Sequence, residues 1–136
     1  MADGNLRLRV ATPSGTVVDE PVTSLRAEDD SGHFGLRPGH ETFFTSLATG
    51  IVMYRTPGGA ERYVAVRRGV LWLEGEEAAV VTRDAVAGDD MADLENRVVA
   101  AFVQSDEEER KGQSALTKMQ VAALRMLLQY EDVGPR

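Results

Sequence analysis

Two residues in this chain are imidazoles, His33 and His40, and both fall within the stretch Gly32 to Thr45, GHFGLRPGHETFFT. Two histidines with Glu41 beside the second are the beginning of a metal-ligand set, but His40-Glu41 is not followed by another histidine one helical turn later. A complete site would have to recruit carboxylates from distant strands. The chain has no cysteine, which excludes disulfides, thiolate nucleophiles and cysteine-bound zinc. No Gly-x-Ser-x-Gly elbow is present, and the glycines of GHFG are too few and wrongly placed to cradle a phosphate. The acidic run Asp106 to Glu109 lacks the alternating spacing of a calcium loop and reads as a solvated helix end. The residues therefore predict no catalytic group, no cofactor site and no metal site.

A structural role fits the same stretch better. Pro38 presets φ for the second position of a turn, and Gly39 supplies the positive φ that a type II turn needs next. GHFGLRPGH is then expected to be a rigid, sharply folded loop offering two imidazoles as a contact surface. The alternative is that both histidines simply finish turns. ETFFTSL is expected to re-enter the β structure with Phe43 or Phe44 directed inward.

The composition limits the partners. A formal charge of -7, with no basic run longer than Arg67-Arg68, argues against nucleic acid as a partner, since phosphate binding relies on clustered cations. The opening MADGNLRLRV has no long apolar core and is not expected to be a secretory signal. No run of about 18 apolar residues occurs, so no helix is expected to span a bilayer. With 43% apolar residues in 136, one domain with an appendage can bury a core.

The elements that must position these residues change character along the chain. NLRLRVA alternates Leu6, Leu8 and Val10 with Arg7 and Arg9, the period of a half-buried strand. TVV, VTSLRAE, GIVMYR, ERYVAVR and the two runs of GVLWLEGEEAAVVTR follow, separated by PSG, TPGGA and EGEE turns. Many short strands with regular turn signals predict a sandwich or flattened barrel. From Met91 the spacing becomes helical through Leu94, Val98 and Phe102, with Asp89 or Asp90 as N-cap and Asp93 placed for a capping box. Gly112 is read as a breaker, and SALTKMQVAALRMLLQYE as a second, antiparallel helix carrying Leu116, Met119, Ala123, Met126, Leu127 and Tyr130 on one side. VGPR reads as a frayed end. The expected layout is an all-β sandwich domain over 1–87 and a two-helix hairpin over 88–136, strands first and helices after.

At these residues the chain resembles the ε subunit of F-type ATP synthases, called δ in mitochondria. The resemblance is carried by VATPSGTVV, by GHFGLRPGHETFFTSL with its Pro-Gly-His turn, by AVRRGVLWLEGEEAAVVTRDAV, and by the helical region, in order and at matching spacing. It implies a ten-stranded β-sandwich joined to a pair of helices. It also implies a non-catalytic place in the central stalk, bound to the γ subunit and the ring of c subunits, helping to couple proton or sodium flow to ATP synthesis and hydrolysis. The implied location is peripheral, on the cytoplasmic face of a bacterial inner membrane. By position, Gly32, His33, Phe34 and Gly35 fall in the c-ring-facing loop, and Arg37, Pro38, Gly39 and His40 in the γ-facing turn.

The departures from the family pattern carry information too. His33 stands where some relatives have an acidic residue, and Arg37 where an apolar or aromatic residue is common. ETFFT replaces Ala-Pro-Leu-Leu-Thr, the mark of a divergent branch. MADLEN lacks the Asp and Arg of the ATP-binding motif of some relatives, so no bound ATP is expected. Inhibitory relatives meet the catalytic β subunit through a basic second helix; here that helix offers Lys118 and Arg125, with Arg136 past its end. It is apolar on more than one side, with Val121, Leu124 and Leu128 forming the other, which a single neighbour would not require. In GVLWLEG, Leu71 and Leu73 inward would place Trp72 outward, beneath the hairpin or against γ; the opposite register would bury it. A competing interpretation of the whole chain is a stand-alone β-sandwich binding module with a helical dimerisation tail.

Overall fold

The computed structural model describes residues 5–132, with side chains as far as Gln129. The expected fraying of Val133 to Arg136, the charge of Arg136 and the side chain of Tyr130 lie outside the described residues. Ten strands precede the helical region: β1 (Leu6–Thr12), β2 (Gly15–Val22), β3 (Ser24–Asp29), β4 (Gly32–Leu36), β5 (Phe43–Leu47), β6 (Gly50–Arg55), β7 (Glu61–Val66), β8 (Gly69–Glu74), β9 (Glu77–Val81) and β10 (Ala85–Gly88).

Their hydrogen-bonded order is β10-β7-β6-β3-β5-β8-β9-β1-β2, with β4 on the free side of β3. One layer holds β4, β3, β6, β7 and β10, the other β5, β8, β9, β1 and β2. A single pairing, Asp29 with Leu47, joins them through β3 and β5. All ladders are antiparallel except β1 with β9. Period-2 alternation makes this possible: Leu6, Leu8 and Val10 of β1, Val52 and Tyr54 of β6, Val64 and Val66 of β7, and Leu71 and Leu73 of β8 all point between the layers and are buried. Tyr54 belongs to this core because its hydroxyl reaches a Glu20 carboxylate oxygen at 3.1 Å, which satisfies its one polar atom.

The turns are fixed by backbone chemistry. Gly69 has φ +138°, and a Cβ there would lie 2.2 Å from the Val81 carbonyl oxygen, so no other residue fits between β8 and β9. Beside it, the buried hydroxyl of Thr82 accepts from the Arg67 amide and lies 3.1 Å from the Asp84 carbonyl, tying the ends of β7 and β9 together.

The helical region differs from the expected hairpin. It runs as α1 (Met91–Asp93), a π-helical segment (Leu94–Val99) and one continuous α2 (Ala100–Asp132). Asp90 is the N-cap and accepts from the Asp93 amide at 3.1 Å. The Asp93 carboxylate does not close a capping box; it pairs with Arg97 at 3.0 Å instead. Gly112 does not break the helix. A glycine costs a helix about 1 kcal/mol, too little to end a run whose flanks, EEERK and QSALTKMQ, consist mostly of strong helix formers. Pairs one turn apart brace both sides of it, Arg110 to Glu107 before and the Thr117 hydroxyl to the Gln113 carbonyl, 2.9 Å, after.

The chain forms two compact units, one ending at Val103 and one beginning at Gln104. In the first, the π segment widens the helical turn so that Leu94, Val98, Val99 and Phe102 all face the sheet. They bury Ala65 of β7 with Ile51 and Tyr63 alongside. In the second, α2 exposes Leu116, Met119, Val121, Leu124, Met126, Leu127 and Leu128.

Candidate interaction surface

The stretch expected as a loop is mostly strand. Gly32, His33, Phe34 and Gly35 form β4, paired antiparallel with Asp29, Glu28, Ala27 and Arg26 of β3. The two-residue turn before it is closed by Asp29, whose Oδ1 accepts from the Ser31 amide at 2.9 Å and the Ser31 hydroxyl at 2.5 Å. Its Oδ2 accepts from the Thr45 hydroxyl of β5 at 2.7 Å. These donors, Ser31 first and Thr45 second, hold the Asp29 carboxyl below the usual aspartate value. One carboxylate thus fixes the β3-β4 turn and pins β5 beside it.

Phe34 points inward and packs on the core, while His33 and Gly35 point outward. After Leu36 the chain turns at Arg37–His40: the His40 amide donates to the Arg37 carbonyl at 3.1 Å and Gly39 has φ +86°, as the Pro-Gly pair requires. The corner stands at the surface, with Arg37, Gly39 and His40 exposed. It is stiffened from beneath. The Nδ1 of His40 lies 2.8 Å from the Glu41 carbonyl, a contact that needs the ring proton on Nδ1. The His40 ring meets Phe43 edge-on at 5.7 Å, and Phe43 in turn lies 5.2 Å from Phe34. Both histidines flank one groove, yet the described residues hold no group of three histidines or carboxylates placed to grip a metal ion.

β5 carries the corner into the second layer. Phe43, Thr45 and Leu47 face in; Phe44 faces out and is 69% exposed. Its cross-strand neighbour is Trp72, 38% exposed, with Leu71 and Leu73 on either side wholly buried. Trp72 therefore points outward. The helical residues that pack on the sandwich lie over β6 and β7, while Trp72 is on β8. The row continues through Ala79 of β9 to Arg9 of β1 and Asp19 of β2. Val70 and Val81 form a second pair beside it, Val81 48% exposed.

The apolar strip is bordered by charge: Arg7 meets Asp19 at 2.8 Å, Arg9 meets Asp19 at 3.6 Å, and Arg9 meets Glu77 at 3.9 Å. The Arg7 hydrogen bond, with both guanidiniums nearby, lowers the Asp19 carboxyl below the usual value. An apolar centre with a charged rim, set on a rigid sheet next to an exposed corner, is the anatomy of a protein-binding face. Sequence reasoning singled out Trp72 but left its register open, and it left Phe44 undecided as well. The cross-strand register, which assigns it to Trp72, is the signal that was missing.

Comparison with known proteins places the geometry in context. A sequence model of the beta-sandwich domain of the ATP synthase delta/epsilon chain matches residues 5–88. The "ATP synthase epsilon chain 2" of Cereibacter sphaeroides is 36% identical over 133 residues, covering 96% of this chain and 91% of its own. That of Paraburkholderia xenovorans is 35% identical over 127 residues, 92% of this chain and 91% of its own. Among solved structures, a chain of the Euglena gracilis mitochondrial ATP synthase OSCP/F1/c-ring assembly superposes with a TM-score of 0.59 at 21% identity, over 79% of this chain and 65% of that one. A chain of the Tetrahymena thermophila central stalk and c ring gives 0.50 at 11% identity, over 60% and 65%. At those identities the two structures speak to the fold.

Proposed function

The chain belongs to the delta/epsilon family of ATP synthase chains, non-catalytic subunits of that complex, and on that premise we propose that it is a central-stalk rotor subunit whose sandwich grips the γ subunit and the c ring. The carrying observation is the outward pair Phe44–Trp72 on the β5–β8 ladder, whose strand β5 follows the Arg37–His40 corner in the chain. Fully burying an exposed apolar side chain of this size contributes about 1.5–3 kcal/mol; Phe44, Trp72 and Val81 are part-exposed and gain a fraction of that each on contact with a partner that also meets the rim charges.

In this reading γ covers the Phe44–Trp72 strip and the Arg37–His40 corner, and the outward residues of β4, His33 and Gly35, face the c ring. The subunit has no bond to make or break. Its task is to stay rigid while torque passes, and the Phe34–Phe43–His40 ring cluster beside the corner supports that task. Its place is peripheral, on the cytoplasmic face of a bacterial inner membrane, held there by the complex and driven by protons or sodium ions. The exposed apolar residues of α2 beyond Gln104, with Lys118 and Arg125 among them, supply a surface through which the helix regulates ATP hydrolysis at the catalytic β subunit; folding back into a hairpin at Gly112 is the other state of that regulation.

Trp72 is the only tryptophan in the chain and reports directly. Adding γ to the full chain is expected to shift its emission to the blue and shield it from acrylamide. Unchanged emission in an isolated complex with γ would remove Trp72 from the interface.

A further inference from the structure

We propose that the groove on the outward side of β3, β4 and β6 is a site for a phosphate group. The groove has a volume of about 650 Å³, and its walls carry Arg26 from β3, His33 from β4, Arg37 and His40 from the corner, and Arg55 from β6. Among the described residues, Glu61 is the only acidic one on its lining. The whole chain has 22 acidic residues against 15 lysines and arginines, so this local excess of cations inverts the composition around it.

The state of the guanidiniums leaves them available to an anion. Among the described residues Arg26 and Arg37 have no ion pair and no side-chain hydrogen bond, whereas Arg7, Arg9, Arg97 and Arg110 each have a carboxylate partner. Arg55 is held loosely, 3.6 Å from Glu61 and 3.4 Å from the Gly59 carbonyl. The register converges these groups: Arg26 lies between Gly35 on one neighbour and Met53 on the other, and Ser24 beside Arg55. Gly35 leaves the floor open, since a Cβ there would be in contact with the Arg26 stem at 3.7 Å.

Three guanidiniums from two strands and a turn approach one space from different directions. A single guanidinium fork engages both oxygens of a planar carboxylate from one side, whereas a tetrahedral phosphate carries more oxygens and directs them at guanidiniums on several sides. The chemistry is shared by free phosphate and by the headgroup of an anionic phospholipid, and it does not depend on the rotor reading.

The test is titration of the isotopically labelled full chain, followed by amide NMR, with inorganic phosphate and separately with acetate at equal ionic strength. A parallel arm floats the chain with vesicles of phosphatidylglycerol in phosphatidylcholine and with phosphatidylcholine alone. Saturable shifts at His33, Gly35, Arg37 and Met53 with phosphate assign a free phosphate. Flotation with phosphatidylglycerol vesicles alone assigns the headgroup. In either case R26A/R37A should weaken binding by at least about tenfold with an unchanged melting temperature, the single variant R37A should weaken it less, and R9A, on the other layer, should leave it intact. Acetate binding as tightly as phosphate, no response to either phosphate probe, or undiminished binding by R26A/R37A would overturn the proposal.

Discussion

Single residues fix the turns on which this fold depends. Gly69 is the most constrained: φ +138° and a carbonyl oxygen 2.2 Å from where a Cβ would sit leave no room for any side chain. Gly69→Ala is expected to destabilise the sandwich by about 2 kcal/mol or more, read as a lower urea midpoint, because strain and a backbone clash act together. Asp29 tests the electrostatics. Its carboxyl titrates lower in the folded chain than in the unfolded one, where the value is about 3.9. Its contribution is therefore whole above that value and disappears as pH falls through the folded one. Asp29→Asn should lower the urea midpoint at neutral pH and flatten its fall on acidification; an equally steep fall would mean that other carboxylates carry the acid sensitivity. The Pro38-Gly39 turn was legible in the sequence because its two residue types admit few backbone conformations. Asp29 was not, since Thr45 is 16 residues away and only the fold brings the two together.

At the scale of elements, alternation exposed the strands, whereas glycine misled over the helix. Leu6, Leu8 and Val10, or Leu71 and Leu73, state their inward face in the sequence itself. GHFGL was harder, because two glycines and a histidine hid a strand whose alternation rests on Phe34 and Leu36 alone. Gly112 looked like a stop, but the helix formers on either side of it outweigh the roughly 1 kcal/mol that a glycine costs a helix, and α2 runs through it. The π segment was invisible as well: Leu94, Val98, Val99 and Phe102 fit an ordinary helix nearly as well on paper, and Ala65 of β7 favours the widened turn by giving all four something to cover. That packing determines how the regulatory role proposed for α2 should be tested. A chain cut after Gly88 would uncover Ala65 and confuse loss of regulation with loss of stability. A chain ending at Val103 keeps the cover. Added to the catalytic hexamer with γ, it is expected to give faster ATP hydrolysis than the full chain at unchanged binding to γ; equal rates would assign α2 to packing rather than control.

Across the whole molecule, the two layers display different surfaces, and the topology explains why. The layer holding β5, β8 and β9 turns a ring-bearing strip outward and keeps its charges at the border. The layer holding β3, β4 and β6 turns cations outward and covers part of its face with the first helical turns. Arg26 and Arg55 are 29 positions apart in the chain, and Phe44 and Trp72 are 28 apart. No local pattern could have paired them, which is why the family resemblance was readable from motifs while these two surfaces were not. The rotor account depends on the apolar strip being occupied in the assembled enzyme. The most direct measurement is affinity purification of the tagged full chain from detergent-solubilised membranes, comparing the native sequence with F44E/W72E. The expected result is that the native chain brings down γ and the c ring, and that the variant, with an unchanged melting temperature, loses γ. Recovery of the native chain alone, or of γ in equal yield with the variant, would contradict the account.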